Sequence, residues 1–139
     1  MNDPRLVGVW SADIMYGPGA QSDTVFIFKA DGTGWMESWN FMLTSAEFFH
    51  WEVPEPERLI LRGCRALELD DTDQIMVDIK PLWDKADTPF SIRVEETPSG
   101  NVMPVLRVKL FPQFRDAWNT YGLDEQGVLA VNEPKAGPA

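Results

Sequence analysis

Apolar residues recur at every second position along most of this chain, and this pattern limits its fold more than any other feature. Between Leu6 and Leu110 the alternation comes in runs of about 6 to 10 residues that are separated by turn-forming residues. A helix repeats every 3.6 residues, so this period indicates antiparallel strands. Eight strands are predicted, over Leu6–Ile14, Asp23–Ala30, Thr33–Met42, Glu47–Val53, Arg58–Arg65, Gln74–Leu82, Phe90–Glu96 and Val102–Phe111.

The connections between these strands favour one closed sheet. Asp31-Gly32 between strands two and three predicts a tight hairpin, because glycine adopts a positive φ without steric cost. Many strands in a short chain avoid exposed edges by closing into a barrel. The predicted fold is therefore all-β: an antiparallel up-and-down meander barrel of about eight strands.

One short C-terminal helix is expected after Pro112. It is indicated by helical spacing that ends at Gly122, a natural helix stop. The residues at this spacing are Phe114, Ala117, Trp118 and Tyr121. Val128–Val131 is expected to form a short final strand.

Length and composition indicate one domain, over residues 1–131, followed by a flexible Pro/Gly-rich tail at 132–139. No stretch approaches the ~20 consecutive apolar residues of a membrane span, and no secretory signal is recognisable. The single cysteine, Cys64, forms no internal disulfide, so we expect a cytoplasmic location. The formal charge of −10 disfavours nucleic acid and anionic membrane surfaces as partners.

The segment Leu6-Val7-Gly8-Val9-Trp10 resembles the Gly-x-Trp motif that opens the lipocalin and calycin barrels. This resemblance implies a lipocalin-like barrel in which Gly8 and Trp10 are structural residues. In that family the tryptophan plugs one end of the barrel and stacks on a late basic side chain. The candidates for this basic partner are Arg93, Arg107 and Arg115.

Two differences from well-known members narrow the group of lipocalin-like proteins that the chain resembles. The Thr-Asp-Tyr type motif and the disulfide cysteines of the secreted lipocalins are absent from the sequence. The seven residues from Tyr16 to Ser22 leave no space for the helical lid of the fatty-acid-binding proteins. The chain therefore looks most like the small bacterial lipocalin-like domains of this superfamily.

The aromatic residues of strands three and four form the candidate ligand-binding set. A barrel lined by such rings binds a small hydrophobic or aromatic molecule, whereas rings that fill the barrel leave no cavity. The predicted ligand-binding residues are Trp35, Glu37, Trp39, Phe41, Phe49 and Trp51.

Glu37 lies between two tryptophans on the same predicted face of strand three. If this face points inward, Glu37 is a carboxylate in an apolar cavity, suited to bind a polar group or to act as a general acid or base. If the register is shifted by one residue, Met36 and Met42 fill the interior and Glu37 is solvated. The sequence leaves both registers open.

The remaining polar residues indicate no cofactor and no metal site. His50 is the sole histidine, and neither a second histidine nor a cysteine stands at zinc-binding spacing. A nucleophilic pair of Cys64 and His50 has no supporting local motif. Asp70, Asp71 and Asp73 lack the glycine and distal glutamate of a calcium loop, so they are expected in a hairpin turn.

Three functions are compatible with these features. The first is a binding module for a small hydrophobic ligand in the barrel. The second is a barrel enzyme that uses Glu37 as general acid or base. The third is a filled barrel that acts as a protein-interaction module, and the chain is expected to be a monomer or a homodimer.

Overall fold

The computed structural model describes residues 3–16, 22–70, 72, 75–110, 118–124 and 133–137. The described residues form nine strands and two short 3-10 helices at Pro4–Leu6 and Asp13–Met15. The strands are β1 (Gly8–Ser11), β2 (Ser22–Phe28), β3 (Thr33–Asn40), β4 (Met42–Glu55), β5 (Arg58–Asp70), β6 (Ile75–Ile79), β7 (Lys85–Glu96), β8 (Val102–Val108) and β9 (Asn119–Leu123).

Eight of these strands close into an antiparallel barrel. The ring runs β1-β2-β3-β4-β5-β7-β8-β9, and β9 pairs with β1 to close it. β5 pairs with β7 through its first residues and with β6 through its last, so β6 extends the wall outside the ring. The predicted all-β meander barrel is confirmed, although the strands that make up its eight differ from the predicted set.

The β2–β3 hairpin forms at Asp31-Gly32 as predicted. Gly32 adopts a φ of +87°, the left-handed region that glycine tolerates. Trp51 on β4 holds this turn from the side, because its indole Nε1–H lies 3.1 Å from the carbonyl oxygens of both Lys29 and Thr33. The turn at Gly32 and the hydrogen bonds of Trp51 therefore fix the register of β2, β3 and β4 relative to one another.

The predicted break between strands three and four, near residues 43–45, is wrong. β4 begins at Met42, directly after Phe41, and its residues 42–50 pair with β3 across one irregularity near Ser38 and Trp39. The chain reverses at Phe41 by adopting a positive φ of 64°, which sequence patterns do not anticipate for phenylalanine. β4 and β5 are both longer than predicted, and the added residues of β5 pair with β4 and β6.

The predicted strand Leu6–Ile14 is also too long, since only Gly8–Ser11 is extended. Leu6 ends a 3-10 helix, and its carbonyl accepts a 2.8 Å hydrogen bond from the buried indole of Trp10. Ile14 belongs to the second 3-10 helix, which packs on β9. Gly122 permits this approach, because a Cβ there would lie 2.9 Å from Cγ of Met15.

The C-terminal helix prediction is wrong over its second half. Tyr121 and Gly122 lie in β9, which forms backbone pairs with both β8 and β1. Residues 111–117, with Phe114, Ala117 and Arg115, lie outside the described residues, as does the predicted strand Val128–Val131. Pairing on both sides outweighs the local helical spacing at this position.

The barrel core is a connected set of aromatic rings. Phe28 contacts Phe49 and Trp51 at centroid distances of 5.5 and 5.4 Å, and Phe26 contacts Tyr121 at 5.0 Å. These side chains share one large buried cluster with Leu6 and Trp10. The interior is therefore filled with side chains over this part of its length.

The C-terminal segment contacts the barrel wall at β6. The Gly137 N–H donates a 2.9 Å hydrogen bond to the Met76 carbonyl, and Pro134 is buried. These residues belong to the segment 132–139, for which flexibility remains a sequence-based prediction. The contact identifies where this segment attaches to the barrel.

Candidate functional site

The six residues predicted to bind a ligand are distributed over both faces of the barrel wall. Phe49 and Trp51 belong to the interior cluster. Trp35 belongs to a second apolar cluster with Val9 and Ile27. Glu37 and Trp39 follow Trp35 at alternate positions of β3, and so they share its face. Phe41, at the hairpin turn, is 79% exposed.

The register of β3 explains this separation. Met36 lies in the interior cluster and pairs with Phe26 on one side and Glu47 on the other. The residues directly before and after Met36 along β3 therefore face outward. Of the two registers that the sequence allows, the structure has the one with Met36 inside and Glu37 outside. The expectation that the tryptophans of β3 line the same cavity as Phe49 is wrong, because the outer face is itself apolar.

On the outer face, Glu37 holds two indole rings. Its Oε2 accepts a 2.8 Å hydrogen bond from Nε1 of Trp35, and its Oε1 accepts one of 2.9 Å from Nε1 of Trp39. Both carboxylate oxygens are thus engaged by neutral donors on the same strand. This arrangement fixes the rings against the wall and does not place Glu37 in the barrel interior.

The interior is best described by rows of inward-facing side chains that run across β2, β3, β4 and β5. Directly paired residues share a face, and so do alternate residues along a strand. The core row is Phe28, Gly34, Phe49 and Gly63. The middle row is Phe26, Met36, Glu47 and Ala66. The polar row is Thr24, Ser38, Ser45 and Glu68.

The core row is closed to solvent at its two phenylalanines. Glycine at position 34 makes room for the Phe49 ring, since a Cβ there would lie 2.8 Å from Cε1 of Phe49. Phe28 and Phe49 are each at most 2% exposed. This part of the barrel has the packing of an ordinary protein core.

The middle row places a carboxylate next to this core. Glu47 is 8% exposed, and its Oε2 accepts a 3.0 Å hydrogen bond from the backbone N–H of Leu82. Its other oxygen accepts no hydrogen bond from the described residues. Burial raises the pKa of Glu47, and the Leu82 N–H opposes this by stabilising the charged form.

The polar row is small, hydroxyl-rich and accessible. Thr24, Ser38 and Ser45 face inward but remain half-buried, and Glu68 is exposed. Inward-facing side chains are accessible only where solvent reaches the inside of the wall. The barrel interior thus changes along its length, from a sealed aromatic core, through Glu47, to an open polar end.

The segment between β6 and β7 covers part of this interior. Trp83 joins the core cluster, with its ring centroid 6.5 Å from that of Phe49, and the Leu82 N–H reaches Glu47. Gly63 allows the close approach, because a Cβ at this position would lie 2.0 Å from the Trp83 carbonyl oxygen. This segment therefore contacts Glu47 through the Leu82 N–H.

Sequence reasoning missed Glu47 and the polar row for one reason. Ser38 and Ser45 are small and polar, and alternation alone assigns such residues to the solvent face. One signal was available in the sequence: Ser38 lies two residues after Met36 on β3. Because side chains alternate along a strand, this spacing places the serine on the same face as the apolar Met36.

The other candidate residues do not assemble into a reactive site. His50 is exposed on the outer face of β4, and the described residues contain no group of three or more His, Cys, Asp or Glu side chains suited to hold a metal. Burial raises the pKa of Cys64, which lowers its thiolate fraction. Asp71 and Asp73 lie outside the described residues.

Trp10 occupies the interior, as the resemblance implies. In the described part of the chain no basic side chain stacks on it, and Arg93 and Arg107 both lie at outward-facing positions. Arg107 instead forms an ion pair with Glu95 on the neighbouring strand.

Comparisons with known proteins add no assignment: no protein-family model, no curated protein and no solved structure matches this chain. Among the described residues, no helix has the length and apolar character needed to cross a lipid bilayer.

Proposed function

We propose that this protein is a lipocalin-like binding module that holds a small molecule in the polar half of its barrel. The ligand lies between the polar row and the middle row, with its apolar body against Met36 and its polar end at Glu47. The ligand enters past the polar row. The observation that carries this proposal is the accessibility of Thr24, Ser38 and Ser45, which face inward above a sealed core.

The chemistry of the two rows supports this use. Small ligand sites combine apolar walls with a few polar groups that fix orientation. The middle row supplies the apolar surface and one buried carboxylate, and the polar row supplies three hydroxyl groups. Hydroxyls both donate and accept hydrogen bonds, so they suit the exit path of a polar substituent.

The lipocalin-like assignment is part of the same proposal. It is supported by the Gly8-x-Trp10 motif, by the 3-10 helix that precedes β1 and by the contact between Trp10 and Leu6 at the closed end. A tryptophan that plugs one end of the meander ring is the arrangement that the resemblance implies. Fold alone does not determine the ligand, so the site residues carry the functional argument.

A dye titration tests the proposal. Nile red is a neutral probe whose emission increases in apolar surroundings. Ser38→Phe introduces a ring into the polar row, whereas His50→Phe introduces the same ring on the exposed outer face of β4. We expect the wild type and His50→Phe to bind the dye saturably, and Ser38→Phe to bind at least about tenfold more weakly.

Far-UV circular dichroism checks that both variants are folded. Equal Nile red affinity in Ser38→Phe and the wild type would contradict binding inside the barrel. Absence of saturable binding to the wild type would contradict the proposed function itself.

The β3–β4 tip supports a second candidate function, that of a protein-interaction module. This tip, defined as Trp39, Phe41 and Met42, exposes three large apolar side chains, and Phe41 also adopts a positive φ. Phe41 belongs to neither apolar cluster of the described residues, and strained backbone positions are often functional. Sedimentation of the wild type and of Phe41→Asn tests this candidate: it requires self-association that the substitution weakens.

A further inference from the structure

The inward-facing charges of the barrel have one sign. Glu47 faces the interior in the middle row, and Glu68 faces it at the open end. In the described strands, each basic side chain of the ring occupies an outward-facing position. These residues are Arg58, Arg62, Arg65, Lys85, Arg93 and Arg107.

Outward ion pairs account for much of this basic charge. Arg58 pairs with Asp87 at 2.6 Å, and Arg65 pairs with Asp78 at 2.8 Å, both on the barrel surface. Neither arginine is available to neutralise a carboxylate on the other side of the wall. The interior therefore contains acidic groups and no described cation to pair with them.

Glu47 itself has no cationic partner among the described residues. Its hydrogen bond from the described residues comes from a neutral backbone N–H, so no described group compensates the negative charge. A buried charge without a counter-ion is costly, and a ligand that supplies the opposite charge removes that cost. A carboxylate ligand would add like charge and be rejected.

The residues beside Glu47 also leave a cation as its only partner of opposite charge. Phe49 lies two residues from Glu47 on the same face of β4, and Phe26 lies in the same row across β3. Neither ring carries a charge, so Glu47 is the only charged group in the middle row. The chain carries a net charge of −10, which favours the approach of cations over anions.

We infer that the ligand class is a small organic cation, namely an amine with an aromatic or aliphatic body. Its ammonium group pairs with Glu47, and its body lies against Met36 and the polar row. This inference rests on the proposed binding function and specifies its chemistry. It separates this barrel from carriers of fatty acids, which need an inward-facing base.

A matched series of three ligands tests the inference in the intact chain. The compounds are 2-phenylethylamine, 2-phenylethanol and 3-phenylpropanoate, which share an aromatic body and differ in the charge of the polar end. Isothermal titration at neutral pH and low salt measures each affinity. We expect the amine to bind at least about tenfold more tightly than the alcohol, and the carboxylate to bind most weakly.

Two variants locate the preference. Glu47→Gln keeps the shape and an acceptor for the Leu82 N–H, and we expect it to reduce amine affinity to that of the alcohol. Glu37→Gln removes the same charge from the outer face, and we expect the tenfold preference to remain. If Glu47→Gln does not fold, the three wild-type affinities still decide the ligand class.

The outcomes separate the inference from the function beneath it. If the alcohol or the carboxylate binds as tightly as the amine, the inference is overturned and the binding function stands. If Glu37→Gln abolishes the preference as fully as Glu47→Gln, overall charge is responsible and the inference is again overturned. If neither Nile red nor any of the three compounds binds the wild type, the binding function fails.

Discussion

Trp35 and Glu37 form a hydrogen bond of 2.8 Å between the indole Nε1–H and Oε2, on the outer face of β3. Because Trp35 is 2% exposed, its N–H would lose its partner without that carboxylate. We expect Glu37→Ala to lower the free energy of unfolding by about 1 to 3 kcal/mol. Glu37→Gln, which keeps one acceptor oxygen, should lose less. Urea denaturation followed by circular dichroism measures both.

Glu96→Ala serves as the control for this substitution. Glu96 is exposed at the end of β7, so its removal should change stability by no more than about 0.5 kcal/mol. If Glu37→Ala is as stable as Glu96→Ala, the two indole hydrogen bonds contribute nothing to the fold.

Glu47 is expected to make stability depend on pH. Burial raises its pKa in the folded state above the ordinary value of 4.5, so the folded protein retains this proton to higher pH than the unfolded chain. The free energy of unfolding should therefore fall as pH rises from about 4.5 through the folded-state pKa. The uncharged Glu47→Gln variant should lack this loss.

Denaturation of both proteins over a range of pH measures the difference. The wild type and Glu47→Gln should have similar stability below pH 4.5 and diverge above it, with the variant more stable. The neighbours of Glu47 in the middle row, Met36 and Ala66, carry no charge, whereas Glu68 is a second inward-facing carboxylate. Glu68→Gln is therefore the matched control, and an identical pH profile in the two variants would contradict a specific role for Glu47.

Gly63 is expected to be required for the connection that covers Glu47. A Cβ at this position would lie 2.0 Å from the Trp83 carbonyl oxygen, so Gly63→Ala must displace the backbone around Leu82 and Trp83. We expect a loss of about 1 to 3 kcal/mol, as for overpacking in a core. Cys64→Ala at the exposed neighbouring residue should stay within about 0.5 kcal/mol. Thermal unfolding that shows equal losses in both variants would contradict this close approach.

Cys64 should react slowly with alkylating reagents. Although the residue is exposed, partial desolvation raises the pKa of its thiol, so the reactive thiolate is a smaller fraction than in a free thiol at the same pH. Iodoacetamide labelling at neutral pH, followed by mass spectrometry, should be slower than labelling of glutathione. A faster rate would indicate an activated nucleophile and would revive the pairing of Cys64 with His50.

The sequence alone was sufficient to predict an antiparallel barrel wall. Alternation and the Asp31-Gly32 turn are local signals, and each was confirmed in the barrel. The first 3-10 helix and the strand at Tyr121 were not foreseen. β9 is stabilised by backbone pairs with β1 and β8, and these distant partners leave no mark on the local sequence.

The candidate site depended on register, which alternation alone does not determine. Both faces of β3 carry apolar residues, because Trp35 packs with Val9 and Ile27 on the outside while Met36 packs inside. A large aromatic residue is then as well buried outside the barrel as within it. The inward position of Glu47 follows from its pairing with Met36, which only the structure reveals.

Methyl NMR of selectively labelled methionines tests most directly whether a ligand enters the barrel. Met36 lies inside beside Glu47, whereas Met42 is exposed at the β3–β4 tip. Titration with the tightest binder of the phenyl series should shift the Met36 methyl resonance saturably and leave that of Met42 unchanged. Movement of Met42 alone, with Met36 unaffected, would place binding on the outer surface and contradict a ligand site inside the barrel.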